Sequence, residues 1–382
     1  MMSKRHSSIA FQPGKIGRMR LKNRLVRSAT FENAATEHGK VTEIQAEIYH
    51  TLAKGGIGLI ITGHAAVHSR WSFVPHMTRI TEDSLVPSVR RIARAVHGVG
   101  NDCQVILQLN HLGRQSDCPV APSSVYDTFL EQRARELTVD EIGEVIECFS
   151  QAIRRAREAE FDGVQLHAAH GWLLSSFLSP HTNRRDDEYG GSTQKRARIM
   201  KEIWESASRR VGKDFPILVK VNTDDCFPGG IDPDEAVYIA AELARIGYAA
   251  IETSGGTWEA LTRSEEELGW KPVFVPEARV GIQTREQEAY FWQNAAKIKK
   301  NVNIPLILVG GLKSIDKIEE ILSEGSVDFC AMSRPLIRQP DLPNRWLHGI
   351  AGKTAECKSC NTCLQLDKPL RCKAEKIVRI RR

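Results

Sequence analysis

The chain has 382 residues, of which 41% are apolar and 26% are charged, and its formal net charge is +6. This length and composition indicate one large or two ordinary globular domains and exclude a disordered chain. No apolar run approaches the roughly 18 residues that span a bilayer, and no apolar core follows the positively charged N-terminus. We therefore expect a cytoplasmic protein with no membrane segment and no secretory signal.

Most of the net positive charge lies in the last dozen residues, 371–382. Without them the balance is close to neutral, and the sequence shows no basic groove interleaved with aromatic residues. A basic tail of this kind is more often a solvated end than a binding arm. We therefore expect no nucleic-acid partner.

Apolar runs and amphipathic stretches alternate along the rest of the chain. A turn-rich lead-in at 11–23 is predicted to close the bottom of a barrel. The predicted strands are 24–30, 57–62, 104–109, 163–167, 217–221, 249–253, 304–309 and 327–332. The predicted helices are 42–54, 85–98, 138–159, 194–211, 233–246, 284–300 and 315–324.

Local signals support several of these helices. Thr138, followed three residues later by Glu141, forms the pattern of a capping box. The helix at 85–98 carries arginines on one side and Val89, Ile92 and Val96 on the other, as a helix covering a sheet does.

Strands that alternate with helices and lack a polar face indicate a buried parallel sheet. Eight such units favour an α/β fold of the closed (β/α)8 TIM-barrel type over an open, doubly wound sheet. No GxGxxG follows an early strand, which argues against a separate dinucleotide domain. We predict a barrel domain over residues 1–345 and a short cysteine-rich basic tail over 346–382.

Two connections, 113–137 and 255–283, are unusually long for a compact domain. Loops of this length are usually functional, and both leave the carboxyl ends of predicted strands. We interpret them as lids over the site.

A phosphate site is predicted where the seventh and eighth strands end. Gly310 and Gly311 let backbone amides approach an anion closely, and Ser314 is a suitable N-cap for the next helix. Ser333 and Arg334 add a hydroxyl and a forked cation that suit phosphate oxygens. Barrels often bind phosphate at this pair of loops.

The most specific stretch of the sequence is residues 161–192, FDGVQLHAAHGWLLSSFLSPHTNRRDDEYGGS. An apolar strand ends here in His167 and His170, where barrel enzymes place their chemistry. With HAAHG, FLSPHTNRR and DEYGGS in this order, the chain resembles the old yellow enzyme family of NADH:flavin oxidoreductases in a single-domain form. The resemblance covers roughly residues 11–340 and implies FMN as the phosphate carrier.

The resemblance implies further flavin contacts in motifs that match the family: LKNRLVRSAT, GLIITGHAAV, VILQLNHLGR and ILVKVN. The implied cofactor-binding residues are Ser28, Ala29, Thr30, His64, Gln108 and Lys220. His64 occupies a position that is usually small, so we expect it to act through its backbone. Lys220 matches a cation beside the reduced flavin, which would favour the anionic form.

His167 and His170 match the family pair that binds a carbonyl oxygen of the substrate. Two imidazole donors on one oxygen would polarise an unsaturated carbonyl and favour hydride arrival at the alkene carbon. Trp172 also falls in the predicted substrate site, where the family usually has a proton-donating tyrosine. Because an indole N–H is too weak an acid, the proton comes from water or another residue, or the reaction is not a standard alkene reduction.

The tail carries Cys357, Cys360, Cys363 and Cys372 within sixteen residues. In larger relatives, cysteines at this place bind a four-iron–four-sulfur (4Fe-4S) cluster with the spacing CxxCxxxC, whereas this chain has CxxCxxC. A zinc site and free or disulfide-linked cysteines stay open as alternatives.

The resemblance implies an FMN-dependent enzyme that takes a hydride from NADH or NADPH and passes it to an activated alkene or similar small acceptor. The alternative is a flavin and iron–sulfur electron-transfer subunit that works with a redox protein partner. We also expect a homo-oligomer.

Overall fold

The computed structural model describes residues 8–70, 74–364 and 368–374. Eight parallel strands close a barrel in which each strand pairs with the next along the chain and the last pairs with the first. The strands are β1 (Leu25–Arg27), β2 (Leu59–Ala66), β3 (Gln104–Asn110), β4 (Gly163–Ala168), β5 (Ile217–Asn222), β6 (Ile251–Ser254), β7 (Leu306–Leu308) and β8 (Phe329–Met332). The predicted TIM barrel is thereby confirmed.

Helices cover the outside of the barrel. The longer ones are α1 (Glu43–Lys54), α2 (Val86–His97), α3 (Val139–Glu158), α4 (Arg198–Val211), α5 (Pro233–Ile246), α6 (Trp292–Lys299) and α7 (Ile315–Glu324). Shorter helices lie at Leu173–Leu178, Thr193–Arg196, Glu265–Leu268, Arg334–Arg338 and Leu342–Leu347. Among the described residues, no helix is long and apolar enough to cross a membrane.

The local signals read from the sequence explain two of these helices. Thr138 and Glu141 form the predicted capping box at the start of α3. The apolar face of α2 is buried against the barrel, as its pattern predicts. Burial of one apolar stripe per helix is what keeps the outer layer on the sheet.

The predicted turn-rich lead-in closes the bottom of the barrel as a hairpin of two strands, Gly14–Ile16 and Met19–Leu21. Its apolar side chains belong to the cluster that fills the barrel interior, together with Leu218, Ile307 and Phe329. The amino-terminal end of the barrel is therefore packed, and only the carboxyl end is left for a site.

The two long connections contain small elements of their own. In the first, Val120–Ala121 pairs with Arg135–Glu136, and Tyr126–Asp127 pairs with Gln132–Arg133. The second contains the 3-10 helix Trp258–Thr262 and the helix Glu265–Leu268. Both connections are therefore structured covers over the carboxyl end.

The tail is attached to the barrel. Ala355 donates its N–H to the Lys313 carbonyl at 2.7 Å, and Ile315 donates to the Lys353 carbonyl at 2.9 Å. The predicted domain boundary between residues 345 and 346 stays a prediction, and the helix Leu342–Leu347 crosses it. The last residues of the basic tail, 375–382, lie outside the described residues.

Candidate active site

A cavity of about 680 Å³ opens where the carboxyl ends of the strands meet. All barrel residues predicted to bind cofactor or substrate line this one cavity. They are Ser28, Ala29, Thr30, His64, Gln108, His167, His170, Trp172, Lys220, Gly310, Gly311, Ser333 and Arg334. They meet because each follows or ends a parallel strand, and the strand ends converge at one rim.

A buried network of side chains fixes the floor of the cavity. Gln108 donates its amide to Gln165 at 2.7 Å, and Gln165 donates to Glu252 at 2.8 Å. Lys220 Nζ lies 3.2 Å from Glu252 Oε1 and 3.1 Å from Ser28 Oγ. Because Glu252 is fully buried, its carboxylate offsets the charge of Lys220 and fixes the position of that cation.

His167 and His170 stand side by side with ring centroids 5.0 Å apart. His170 Nε2 lies 2.7 Å from Ser254 Oγ, and the His170 backbone N–H donates to Asn222 at 3.1 Å. Burial lowers the pKa of both rings well below the ordinary value, and the charge of Lys220 also lowers it. Both imidazoles are therefore neutral groups that can donate one hydrogen bond each.

Trp172 lies against the histidines from the side of the β4 connection. Its ring is 6.0 Å from that of His167 and 5.5 Å from that of His64, measured between centroids. The indole thus occupies the wall of the cavity beside the histidine pair. His64 also presents its side chain to the cavity, which the sequence does not predict.

At the other end of the cavity, Arg334 lies between the barrel and the tail. It donates through Nη1 to Asn361 Oδ1 at 2.6 Å and to the Arg279 carbonyl at 2.8 Å. The Ser333 hydroxyl lies 2.6 Å from the Thr30 hydroxyl. Asn361 is a contact that sequence reasoning missed, because nothing in the tail pattern points to the barrel.

Ser314 occupies the predicted N-cap position of the helix after β7, but not as a side-chain cap. The Ser314 side chain makes no capping hydrogen bond at the start of α7. Glu288 accepts the backbone N–H groups of Lys313 and Ser314 at 2.8 and 3.0 Å instead. A carboxylate therefore occupies the start of α7, where we expected a phosphate to bind the free backbone N–H groups. The Gly310-Gly311 turn still lines the cavity.

The tail cysteines lie close to the cavity without lining it, although their neighbours Ser359 and Leu364 do line it. Burial raises the pKa of Cys363 to about 11, and Cys357, Cys360 and Cys372 are near enough to affect it. Within residues 8–70, 74–364 and 368–374, no group of three or more metal-ligating side chains is arranged to hold an ion. The predicted metal site stays a prediction.

A buried ion triad, also missed from the sequence, ties the two long connections together. Arg114 lies 2.9 Å from Asp127 and 2.7 Å from Glu259, and all three side chains are about 1% exposed. His181 lies 3.3 Å from the other oxygen of Glu259. Since Asp127 and Glu259 come from different connections, Arg114 holds the two covers in one arrangement.

Residues 10–353 match the model of the NADH:flavin oxidoreductase / NADH oxidase family. The chain is 36% identical over 368 residues to the NADH oxidase of Thermoanaerobacter brockii, covering 93% of this chain and 53% of that protein. It is 32% identical over 335 residues to the NADPH dehydrogenase of Clostridium acetobutylicum, covering 86% and 92%. The chain thus spans about half the length of the first relative and most of the second.

The fold is also similar to solved structures. An old yellow enzyme homologue from Zymomonas mobilis superimposes with a TM-score of 0.75 at 27% identity, covering 94% of this chain and 99% of that one. The barrel fold is therefore shared with a protein of known structure.

Proposed function

Because the chain belongs to the NADH:flavin oxidoreductase / NADH oxidase family, we propose that it uses FMN and NADH or NADPH to reduce an activated alkene or similar small acceptor. The observation that carries the proposal is that one cavity holds a cation at each end and a histidine pair on its wall. Lys220 and Arg334 are the cations, and His167 and His170 form the pair.

The cavity fits FMN in volume and in lining chemistry. Its volume of about 680 Å³ is in the ordinary range for ligand sites. Arg334 and the Gly310-Gly311 turn suit a phosphate, whereas Gln108 and Lys220 suit the polar edge of a flavin ring. When bound, FMN would supply the redox chemistry, namely hydride transfer between the nicotinamide and the acceptor.

The histidine pair binds and polarises the acceptor. Both rings are neutral, so each offers an N–H to a carbonyl oxygen without placing a second positive charge near Lys220. Donors that are already oriented stabilise the negative charge that develops on that oxygen. His170 would exchange its present bond to Ser254 for this one.

The test separates the two half-reactions. Flavin released from the purified protein should be FMN, bound at one per chain, and anaerobic mixing with NADH or NADPH should bleach it. His167→Ala and His170→Ala should slow reoxidation by a cyclic enone at least tenfold while reduction by the nicotinamide changes less. Equal reoxidation rates in mutants and parent, over small and large enones, would contradict the assigned role.

A second candidate is an electron-transfer subunit that passes electrons through a metal centre in the tail to a protein partner. The position of Ser359 and Leu364 at the cavity edge favours it, because the tail cysteines then lie next to the flavin site. We derive no reaction step through that centre, since the described cysteines are not arranged as a ligand group. A homo-oligomer also stays a prediction, which sedimentation would test.

A further inference from the structure

His64 points into the cavity because of a β-bulge. Ile61 pairs with Ile106 on β3 and His64 pairs with Gln108, so three steps along β2 match two steps along β3. The extra residue makes His64 face the barrel interior, as Ile61 does. Without it, Gly63 would take that direction.

The bulge is fixed at Gly63. Its backbone N–H lies 3.0 Å from Glu32 Oε1 and 2.8 Å from the Tyr49 hydroxyl. A Cβ on Gly63 would lie 2.2 Å from Glu32 Oε2, so a larger residue does not fit there without displacement. The orientation of His64 is therefore built into the strand.

The imidazole of His64 is surrounded by rings and held on one side. Its centroid lies 5.2 Å from Phe31, 5.5 Å from Trp172 and 6.2 Å from His167. Nδ1 lies 2.9 Å from the side-chain nitrogen of Asn110. Nε2 has no hydrogen-bond partner among the described residues, and it is the ring nitrogen left for a molecule in the cavity.

Few groups on the cavity wall are able to give a proton to a bound acceptor. Trp172 carries only an indole N–H, which is not an acid in water, and His167 and His170 are assigned to the acceptor oxygen. His64 lies beside both Trp172 and His167. We propose that His64 Nε2 donates the proton that the acceptor carbon takes up. This role rests on the function proposed above.

The proposed step balances. The hydride from NADH or NADPH, carried by FMN, forms a C–H bond at one alkene carbon, and the π electron pair moves toward the carbonyl. Solvent first protonates the His64 ring, and the neighbouring carbon then bonds to the Nε2 proton of this imidazolium, which returns to neutral imidazole. The sum is reduced nicotinamide, one proton and alkene giving oxidised nicotinamide and the saturated product.

The surroundings of His64 suit a ring that is protonated only briefly. Burial lowers the pKa of His64 to about 4, so the resting ring is neutral among its apolar neighbours. Negative charge that develops on the acceptor favours the protonated form. Asn110 Oδ1 is buried without a partner in the described structure, and rotating that amide would turn it toward an Nδ1 proton.

The experiment compares two oxidants on FMN-loaded protein. A cyclic enone needs a proton on carbon, whereas ferricyanide accepts single electrons and needs none. In anaerobic single-turnover reactions, His64→Gln and His64→Ala should lower enone product formation at least tenfold and leave ferricyanide reoxidation within about twofold. His68→Gln is the matched control, a buried histidine four residues on that bonds Glu144 outside the cavity, and it should leave the ratio unchanged.

A second measurement does not depend on turnover. In NMR spectra of the oxidised protein with ¹⁵N-labelled histidine, binding of a saturated ketone should shift one imidazole resonance. That resonance should be absent from the spectrum of His64→Gln. An unchanged ratio of the two oxidants in both His64 variants would overturn the inference and leave the proposed function standing, because the parent still reduces the enone. Loss of enone reduction without loss of ferricyanide reoxidation in Glu277→Gln would instead assign the proton to the Glu277 carboxyl, which also lines the cavity. A parent that reduces no enone would overturn both.

Discussion

We expect the retention of a phosphate-bearing cofactor to depend most directly on Arg334. One of its nitrogens is occupied by Asn361 and the Arg279 carbonyl, and the side chain still lines the cavity. Arg334→Ala should weaken FMN binding by about 1.5–3 kcal/mol, the range for hydrogen bonds to charged groups. Titration of the flavin-free protein should show this as a Kd raised roughly 10- to 150-fold.

The control is Arg345→Ala, because Arg345 lies on the helix Leu342–Leu347 and does not line the cavity. Its FMN affinity should match the parent. An unchanged affinity in Arg334→Ala would remove Arg334 from the phosphate site.

Histidines that are buried in the neutral form make folding depend on pH. Burial and the charge of His68 lower the pKa of His111 to about 3. The unfolded chain takes up a proton on this ring near pH 6.5, whereas the folded chain does not. The stability contributed by His111 is thus fully present above pH 6.5 and is lost as the pH falls toward 3.

His111→Gln should therefore reduce the fall in the free energy of unfolding as the pH is lowered. Between pH 7 and pH 5 the free energy of unfolding of the parent should fall by about 2 kcal/mol more than that of the variant. Urea unfolding at the two pH values measures this, with His50→Gln on helix α1 as the control. An equal fall in parent and His111→Gln would contradict the assigned protonation state.

The position of a site residue is predicted correctly from the sequence when the residue lies at the end of a strand. Gln108, His167, Lys220 and Arg334 all follow apolar runs, and parallel strands bring such ends to one rim. Glu252 was not predicted, because a polar residue inside an apolar run has no visible partner until the strand order is known. The direction of His64 was not predicted either, because a single extra residue in β2 reverses it and leaves no clear signal in the sequence.

Among the elements, helices α5 and α7 match their predicted bounds, whereas the helix predicted over 284–300 is found only over its second half, as α6. The structure has the 3-10 helix Arg285–Gln287, then extended and left-handed residues, and α6 begins only at Trp292. Glu288 is extended and binds the start of α7, and Tyr290 packs under Gly310 and Gly311. Tertiary contacts override helix propensity here, which a single sequence does not reveal.

The β-bulge in β2 is an element-scale device that depends on glycine. In Gly63→Ala the new methyl group would lie 2.2 Å from Glu32 Oε2 and 2.7 Å from the Thr30 carbonyl. We expect a loss of about 1–3 kcal/mol in the free energy of unfolding, the usual cost of overpacking. Denaturant unfolding measures it.

Gly143 on helix α3 is the matched control, because a Cβ there meets nothing within 4 Å. Gly143→Ala should stabilise the protein by up to about 1 kcal/mol, since alanine is the better helix former. If Gly63→Ala were as stable as the parent, the bulge would not require glycine.

The two covers over the site are joined by the buried triad of Arg114, Asp127 and Glu259. Burial would raise the pKa of Glu259, but His181 and Arg114 hold it below the ordinary value, so the carboxylate is charged. Arg114→Met would leave Asp127 without a cation and Glu259 with only His181, and it should cost about 3–5 kcal/mol. Adding Asp127→Asn and Glu259→Gln to it should restore much of that stability.

The same variants report on the covers. Phe129 and Trp258, one from each connection, line the cavity with ring centroids 5.5 Å apart. If the triad holds this pair, Arg114→Met should change KM for large enones more than for small ones in steady-state assays. A variant with parent stability and an unchanged preference for acceptor size would show that the covers are held by other contacts.

At the scale of the whole molecule, the tail is part of the site. Asn361 joins Arg334 to the second connection, where its amide nitrogen donates to the Ala278 carbonyl at 2.6 Å. Lys313 Nζ donates to the Cys357 carbonyl at 3.0 Å, beside the Gly310-Gly311 turn. We therefore expect a change in the tail cysteines to affect the Arg334 end of the cavity.

The tail cysteines are predicted to act as one unit that binds iron in preference to zinc. Thiolates suit both metals, so ligand type does not decide between them. Position favours iron, because an iron–sulfur cluster beside a flavin has a redox use, whereas zinc would only fasten the tail. The Ser359 backbone N–H lies 3.5 Å from Cys357 Sγ, and hydrogen bonds to sulfur are among the contacts that tune such clusters.

Metal analysis of the full chain, prepared without oxygen, tests this. About four irons with matching sulfide are expected, together with visible absorption beyond that of the flavin. Cys363→Ser, which alters the buried cysteine, should lower the iron content, whereas Cys118→Ser in the first long connection should leave it unchanged. One zinc per chain would instead support a structural zinc site in the tail. Neither metal, with Cys357, Cys360, Cys363 and Cys372 all alkylated in the folded protein, would contradict the metal site and remove the support for an electron-transfer subunit.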